Sequence, residues 1–269
     1  MTPANASKSS SHIIWRTLLG MALWVINTLV FTLLLAPFLW LGILTVDKTG
    51  RWPRHILRAM CRIGVRRFCG PNLLIKDFNW SAIKGPCVLV ANHQSLIDIL
   101  LLMLLPTDAR CWAKRWPFKV PFLGLMMKLC GHLSINDPLV LCKAAESLRS
   151  GVSLYIFPEG TRSRTGKLNR FHDGAFLLAV RTGVPVVPVA IHGSGTMMPP
   201  GKFRLFDTPM AIEPLGILYP DATVDKPHLT LKRQAAAMIA AALERGRPES
   251  IVESSRAVAK TAAEEIACR

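Results

Sequence analysis

The strongest constraint on this chain lies near its N-terminus, where Leu18–Val46 runs for 29 residues without a charged side chain. As one straight helix it would rise about 43 Å, against a hydrocarbon core of about 30 Å. The run is too long for the apolar part of a signal peptide, and no small-x-small cleavage site follows it. A stretch with no polar face does not suit the surface of a soluble domain. Pro37 stands two thirds of the way along; it lacks an N–H and clashes with the preceding turn, so it kinks or breaks a helix there. Two readings fit. One is a single tilted, kinked transmembrane helix. The other is a pair of shorter helices, Ile13–Ala36 and Phe38–Thr45, lying in one leaflet.

Charge follows the apolar run. Lys48, Arg51, Arg54, Arg58, Arg62, Arg66 and Arg67 come after it, and only Lys8 and Arg16 precede it. The positive-inside rule then puts the bulk of the chain in the cytoplasm. These side chains can grip anionic headgroups, or simply form a solvated helix face. Over the whole chain 33 Lys and Arg oppose 17 Asp and Glu, a net charge of +16. Such a chain is drawn to nucleic acid, to an anionic membrane surface or to phosphorylated substrates. The apolar N-terminus favours the membrane, and the absence of any nucleic-acid-binding motif argues against nucleic acid. The seven cysteines are irregularly spaced without a C-x-x-C, which fits scattered buried thiols in a reducing compartment. No metal site is expected.

Beyond residue 70, short β-branched runs alternate with apolar helical stretches. Strands are predicted at Leu73–Lys76, Cys87–Ala91, Arg110–Ala113, His132–Ile135, Val152–Phe157 and Val186–Ile191. Helices are predicted at Leu96–Leu105, Phe122–Leu129, Leu139–Ser150, Gly174–Thr182, Leu229–Glu244 and Glu249–Cys268. The alternation predicts an α/β domain with a mixed, mostly parallel sheet flanked by helices. The chain divides into a polar N-terminus (1–12), a hydrophobic membrane anchor (13–47), a basic membrane-proximal segment (48–70), a catalytic domain (71–228) and a C-terminal helical segment (229–269).

Two constellations carry chemistry, each just after a predicted strand. The first is Asn92-His93-Gln94-Ser95-Leu96-Ile97-Asp98. His93 has the side chain whose ordinary pKa lies nearest neutrality, which suits a general base. Asp98 can fold back to its second ring nitrogen, fix the tautomer and stabilise an imidazolium. The second is Phe157-Pro158-Glu159-Gly160-Thr161-Arg162-Ser163-Arg164. Its hydroxyls and guanidinium forks suit a phosphate. Glu159 either pairs with one of these cations or hydrogen-bonds an acceptor hydroxyl. Two weaker pieces are Lys114-Arg115-Trp116-Pro117-Phe118-Lys119-Val120-Pro121-Phe122-Leu123-Gly124 and the strand Val186–His192. Lys114 can neutralise a phosphate while the apolar residues line an acyl groove, or the segment is a packed loop. Pro188 implies an edge position, a bulge or a strand end.

In this order N-H-x4-D, K…P-F-L-G, F-P-E-G-T-R-S-R and V-P-V-A resemble the four blocks of the glycerolipid acyltransferases, most closely the bacterial 1-acyl-sn-glycerol-3-phosphate acyltransferases. The resemblance covers residues 60–220. It implies the glycerolipid acyltransferase fold with an N-terminal membrane-anchoring helix pair, and a location at the cytoplasmic face of a bacterial inner membrane. It implies that His93 deprotonates the acceptor hydroxyl, that Asp98 orients it, and that the alkoxide attacks an acyl thioester directly. Glu159, Gly160, Thr161 and Arg162 would bind the acceptor, with Arg162 on its phosphate, and Pro188 would shape the acyl-donor site. Acyl-coenzyme A or acyl carrier protein would be the donor and a lysophospholipid the acceptor, first of all 1-acyl-sn-glycerol-3-phosphate. No cofactor is required. Two departures remove positive charge from the acceptor site: Asp137 stands where the family has arginine, and Phe171-His172-Asp173-Gly174 has no lysine. They open the site to another lyso-lipid such as lyso-ornithine lipid. A non-catalytic, membrane-bound anion- or lipid-binding protein is the reading from a different class. A serine hydrolase built on Ser194 lacks the G-x-S-x-G elbow.

Overall fold

The structure is a computed structural model that describes residues 15, 18–20, 22, 25–26, 29–30, 50–69, 73–121, 123–201, 206 and 208–246. Most of the uncharged run, with the expected Phe38–Thr45 and Glu249–Cys268 helices, lies outside the described residues. The described positions between 15 and 30 are helical. Among the described residues no helix is long and apolar enough to cross a membrane.

In chain order the elements are α1 (Arg51–Cys69), β1 (Leu73–Ile75), β2 (Val88–Ala91), α2 (Asp98–Leu102), β3 (Ala109–Ala113), α3 (Trp116–Lys119), α4 (Leu123–Leu129), β4 (Leu133–Ser134), α5 (Val140–Arg149), β5 (Ser153–Ile156), α6 (Gly174–Thr182), β6 (Val186–His192), α7 (Ser194–Met197), β7 (Met210–Pro214) and α8 (Pro227–Arg245). One sheet takes them in the order β1-β7-β6-β2-β5-β3-β4. Every pairing is parallel except β6 with β7. The mostly parallel α/β expectation therefore holds.

The central strands read VLVA, SLYI and VVPVAIH because both of their faces are covered. Leu89, Ala91, Tyr155, Val187, Val189 and Ile191 pack on one side with Leu57 of α1 and Leu101 of α2. Val88, Val90, Leu154, Ile156 and Val186 pack on the other with α5, α6 and α8. The Ala-rich α8 buries Leu231, Ala235, Ile239 and Ala242.

Pro188 lies in neither an edge strand nor a strand end, but in the central β6. Its carbonyl accepts from Leu215 N–H, so its missing N–H faces the β7 side rather than β2. There the antiparallel register slips: Val189 opposes Pro214, while Val186 bridges Leu218. Three steps along β6 match four on the partner, a bulge that absorbs the lost donor.

The helix expected over Leu96–Leu105 is shorter, Asp98–Leu102. Its last turn tightens, with Leu104 N–H on Leu101 O and Leu105 N–H on Leu102 O. The arginines of α1 explain the sharp end. Arg58 donates to the Met103 and Leu105 carbonyls and Arg62 to that of Leu104. Arg54, 1% exposed, forms a bidentate pair with Asp108 at 2.7 and 2.8 Å and reaches the Cys130 carbonyl. Arg54 and Arg58, expected to meet headgroups or solvent, are instead turned inward at i and i+4 to satisfy carbonyls at helix ends, while Arg62 stays exposed.

Burial alone would raise the Asp108 carboxyl, but the Arg54 hydrogen bonds and the charges of Arg54, His55 and Arg58 hold it below the ordinary range. Asp108→Ala leaves a buried guanidinium without its partner, and should cost about 3–5 kcal/mol in urea unfolding. Because the folded carboxyl is depressed, its contribution is complete above about pH 3.9 and is lost as pH falls through the lower folded value. The gap between wild type and Asp108→Ala should close only in that acid range.

Candidate active site

The sheet sets the site. β2 and β5 are adjacent and parallel, so their C-terminal ends lie together, and the loop after each carries one of the two constellations. Residues 66 apart in sequence meet there: Glu159 Oε1 accepts from the His93 N–H at 2.7 Å. The Ser163 N–H donates to the His93 carbonyl at 2.7 Å. Both backbone groups of His93 are thus held by the second loop. From β6, the Asn92 side chain exchanges two hydrogen bonds with the Ile191 backbone at 2.8 and 2.9 Å, which extends the β2–β6 ladder one step into the loop.

The His93 ring is fixed from two directions. It stacks on Phe157 with centroids 4.1 Å apart and planes 17° from parallel. Its Nδ1 lies 2.8 Å from Asp98 Oδ2. Asp98 is fully buried, and the same oxygen accepts from the Gln94 and Ser95 N–H groups at 2.7 Å. Oδ2 thus serves as an acceptor, and the ring completes the set by donating from Nδ1. Nε2 is then the basic nitrogen, and His93 lines the cavity. The expected pairing of His93 with Asp98 is what the geometry brings together.

Glu159 is placed otherwise than expected. It is 4% exposed, its second oxygen accepts from the Asn169 N–H at 2.9 Å, and it does not line the cavity. Burial pushes its carboxyl above the ordinary range, while the His93 and Asn169 N–H groups work against that shift. It ties two loops together and has no face left for an acceptor. Pro158, Gly160, Thr161 and Arg162 do line the cavity, as does Lys114. Gly160 has φ +67°, and a Cβ there would come 3.2 Å from the His172 ring, so the turn requires glycine. Pro188 does not line the cavity. By alternation it shares the face of Val186, which packs beneath α6 and α8.

The cavity holds about 740 Å³ and is walled mostly by apolar side chains, including Leu57 and Met60 of α1, Leu100 of α2 and Met126 of α4. Gly20 and Val25 also reach it. His132 stands in its wall as a structural residue. Its Nδ1 accepts from the Cys111 N–H at 2.9 Å, and burial, then Arg54 and Arg110, push its pKa down to about 3. It stays neutral at any working pH.

The two acids that depart from the expected pattern are already neutralised. Asp137 accepts from the Leu139 N–H at the start of α5 and pairs with Lys143, whose hydrogen bond holds its carboxyl below the ordinary range. Asp173 precedes α6 and pairs with Lys232 of α8. Neither lines the cavity. The roles of Asn92, Phe157 and Asn169 leave no mark in the sequence, because each depends on a partner from a distant loop or strand. Among the described residues no group of His, Cys, Asp and Glu could hold a metal ion.

Glu159→Gln replaces one acceptor oxygen by an amide that faces an N–H. It should lose about 1–3 kcal/mol in unfolding and speed amide hydrogen exchange at His93 and Asn169 above the global change.

Comparison with known proteins agrees with the geometry. Residues 70–192 match the family model described as acyltransferase. A chloroplastic 1-acyl-sn-glycerol-3-phosphate acyltransferase of Brassica napus is 41% identical over 130 residues, 46% of this chain and 38% of the relative. One from Chlamydomonas reinhardtii is 32% identical over 194 residues, 70% of this chain and 56% of the relative. The beta form of Homo sapiens is 41% identical over 130 residues, 45% of this chain and 47% of the relative. The chain thus covers less than two thirds of the length of each of these relatives. The crystal structure of the 1-acyl-sn-glycerophosphate acyltransferase of Thermotoga maritima has the same fold, with a TM-score of 0.69 at 24% identity over 86% of this chain and 96% of that one. With the N-H-x4-D and F-P-E-G-T-R blocks on adjacent strand ends, residues 70–192 are similar to the acyltransferases over the part of the chain that holds both blocks.

Proposed function

We propose that this protein transfers a fatty acyl group from a thioester donor to the free hydroxyl of 1-acyl-sn-glycerol-3-phosphate, forming phosphatidic acid. The observation that carries the reading is the His93–Asp98 pair on the wall of a large apolar cavity that Arg162 and Lys114 also line. The names of the curated relatives support the same acceptor.

The steps follow from the geometry. His93 Nε2 takes the proton of the acceptor hydroxyl while Asp98 stabilises the resulting imidazolium. The acceptor oxygen bonds to the thioester carbonyl carbon, giving a tetrahedral oxyanion. Its collapse breaks the carbon–sulfur bond, and the thiolate leaves with the proton from the imidazolium. No acyl-enzyme forms, and the carrier, coenzyme A or acyl carrier protein, departs as product. Arg162 and the exposed Lys114 hold the acceptor phosphate, Arg162 through its planar fork. Gly160 and Thr161 shape the turn beside it. The apolar walls take the chains, and holding both lipids side by side contributes at least as much as the base. With its charge spent on Lys143 and α5, Asp137 leaves lysophosphatidate as the first acceptor. The domain works at the cytoplasmic face of a bacterial inner membrane, the apolar N-terminal run serving as its anchor.

The test is transfer from labelled acyl-coenzyme A, by the protein in detergent, to lysophosphatidate, other lysophospholipids, lyso-ornithine lipid and glycerol 3-phosphate. Lysophosphatidate should be the preferred acceptor, and His93→Ala should lower kcat by about 10²–10⁴-fold. Arg162→Ala should raise KM for lysophosphatidate more than for acceptors without a terminal phosphate. Asp137→Asn should leave that KM within about twofold, since the carboxylate is paired away from the site. Transfer only to lyso-ornithine lipid would reassign the acceptor. No transfer from coenzyme A or carrier-protein thioesters would favour a lipid-binding protein.

A further inference from the structure

The fold turns inward Arg54 and Arg58, two of the arginines that could have met a membrane, so the question is which cations and apolar groups remain outside near the cavity. The segment Lys114–Leu129 answers it. It contains no acidic residue, and its four cations, Lys114, Arg115, Lys119 and Lys128, are all exposed. None of them is paired with a carboxylate among the described residues. Three of its apolar side chains are outside too: Trp116 is 51% exposed, Val120 36% and Leu125 43%.

The segment is also stiff. The Gly124 N–H donates to the Val120 carbonyl, and a Cβ on Gly124 would lie 2.3 Å from the Phe118 carbonyl. Glycine lets α3 and α4 close on each other, and Arg115 N–H is pinned to Asn136. Trp116 and its neighbours therefore stand out on a fixed frame.

The cavity relates this face to the substrate. Residues that both line it and are exposed mark its mouth. Among them are the apolar Trp116, Val120, Ile135 and Val25 and the polar Lys114, Thr161 and His172. Such a mouth matches a lipid that enters chains first while its headgroup stays at the polar groups. Tryptophan beside lysine and arginine is the pairing that suits a headgroup layer, where the ring sits at the apolar boundary and the cations meet phosphates.

We infer that the Lys114–Leu129 face, led by Trp116 and Val120, docks on an anionic lipid surface and opens the cavity directly to it. This rests on the reading of the cavity as a lipid acyltransferase site, and adds a contact that is separate from the N-terminal apolar run.

The experiment reads Trp116 rather than turnover, so its outcome is independent of whether acyl transfer occurs. The full chain, wild type and Trp116→Phe, is mixed with vesicles of phosphatidylglycerol and phosphatidylcholine, with and without lipids brominated near the headgroup. The difference between the two proteins isolates Trp116 emission from that of the other six tryptophans. On phosphatidylglycerol-containing vesicles that emission should shift to the blue and be quenched by the bromines. Arg115→Glu/Lys119→Glu, at two exposed positions outside the catalytic machinery, should reduce the Trp116 quench by about tenfold or more, even where the chain stays vesicle-bound through another segment. Circular dichroism of each variant should match wild type. An unshifted, unquenched Trp116 on bound protein would overturn the inference, as would quenching that is equal on pure phosphatidylcholine or unchanged by the charge reversal.

Discussion

The parallel ladder between β2 and β5 is the constraint from which the site follows. Val88, Leu89 and Val90 pair with Leu154, Tyr155 and Ile156, so both strands end at the same level and their loops leave side by side. Neither loop is a site alone. The first supplies an imidazole whose backbone needs partners, and the second supplies Glu159 and Ser163, which provide them. The packing on both faces secures this arrangement, because a one-residue slip would turn every side chain of a strand into the packing of the opposite face.

Around that ladder, charge is used mainly for construction. Glu159 holds loops, Asp98 holds a tautomer, Arg54 and Asp108 lock α1 to the start of β3, and Arg58 and Arg62 close the end of α2. Each buried charge meets either an opposite charge or several hydrogen-bond partners, as a low-dielectric interior demands. Arg162 and Lys114 stand in the cavity wall, and Arg115, Lys119 and Lys128 stay exposed beside it. The net charge of +16 thus counts structural cations together with those open to a phosphate or a membrane.

The spacing of the motifs made the dyad legible. A histidine just after a strand and an acid five residues on, in the first turn of a helix, can meet without help from the rest of the chain. That Arg162 and Lys114 line a cavity was legible because long cationic side chains reach wherever a cavity lies. Glu159 was misread for the opposite reason. A carboxylate among cations in sequence looks like an ion-pair partner, yet its oxygens took two backbone N–H groups, one of them from a loop 66 residues away. Arg54 and Arg58 of α1 were misread in the same way, because helical spacing shows a common face but not what that face meets.

By itself the sequence determined the alternation of strands and helices, the positions of the two motif-bearing loops and the pairing of His93 with Asp98. These are local matters of periodicity and of what neighbouring residues can reach. Only the tertiary structure decided that Glu159 is a tie rather than a ligand, that Pro188 acts through a bulge opposite β6, that Asp137 is paired with Lys143, and which cations remain at the surface. Each of those depends on a partner brought near by sheet order or helix packing. A polar side chain takes whichever hydrogen-bond partner burial leaves it, and burial belongs to the fold as a whole.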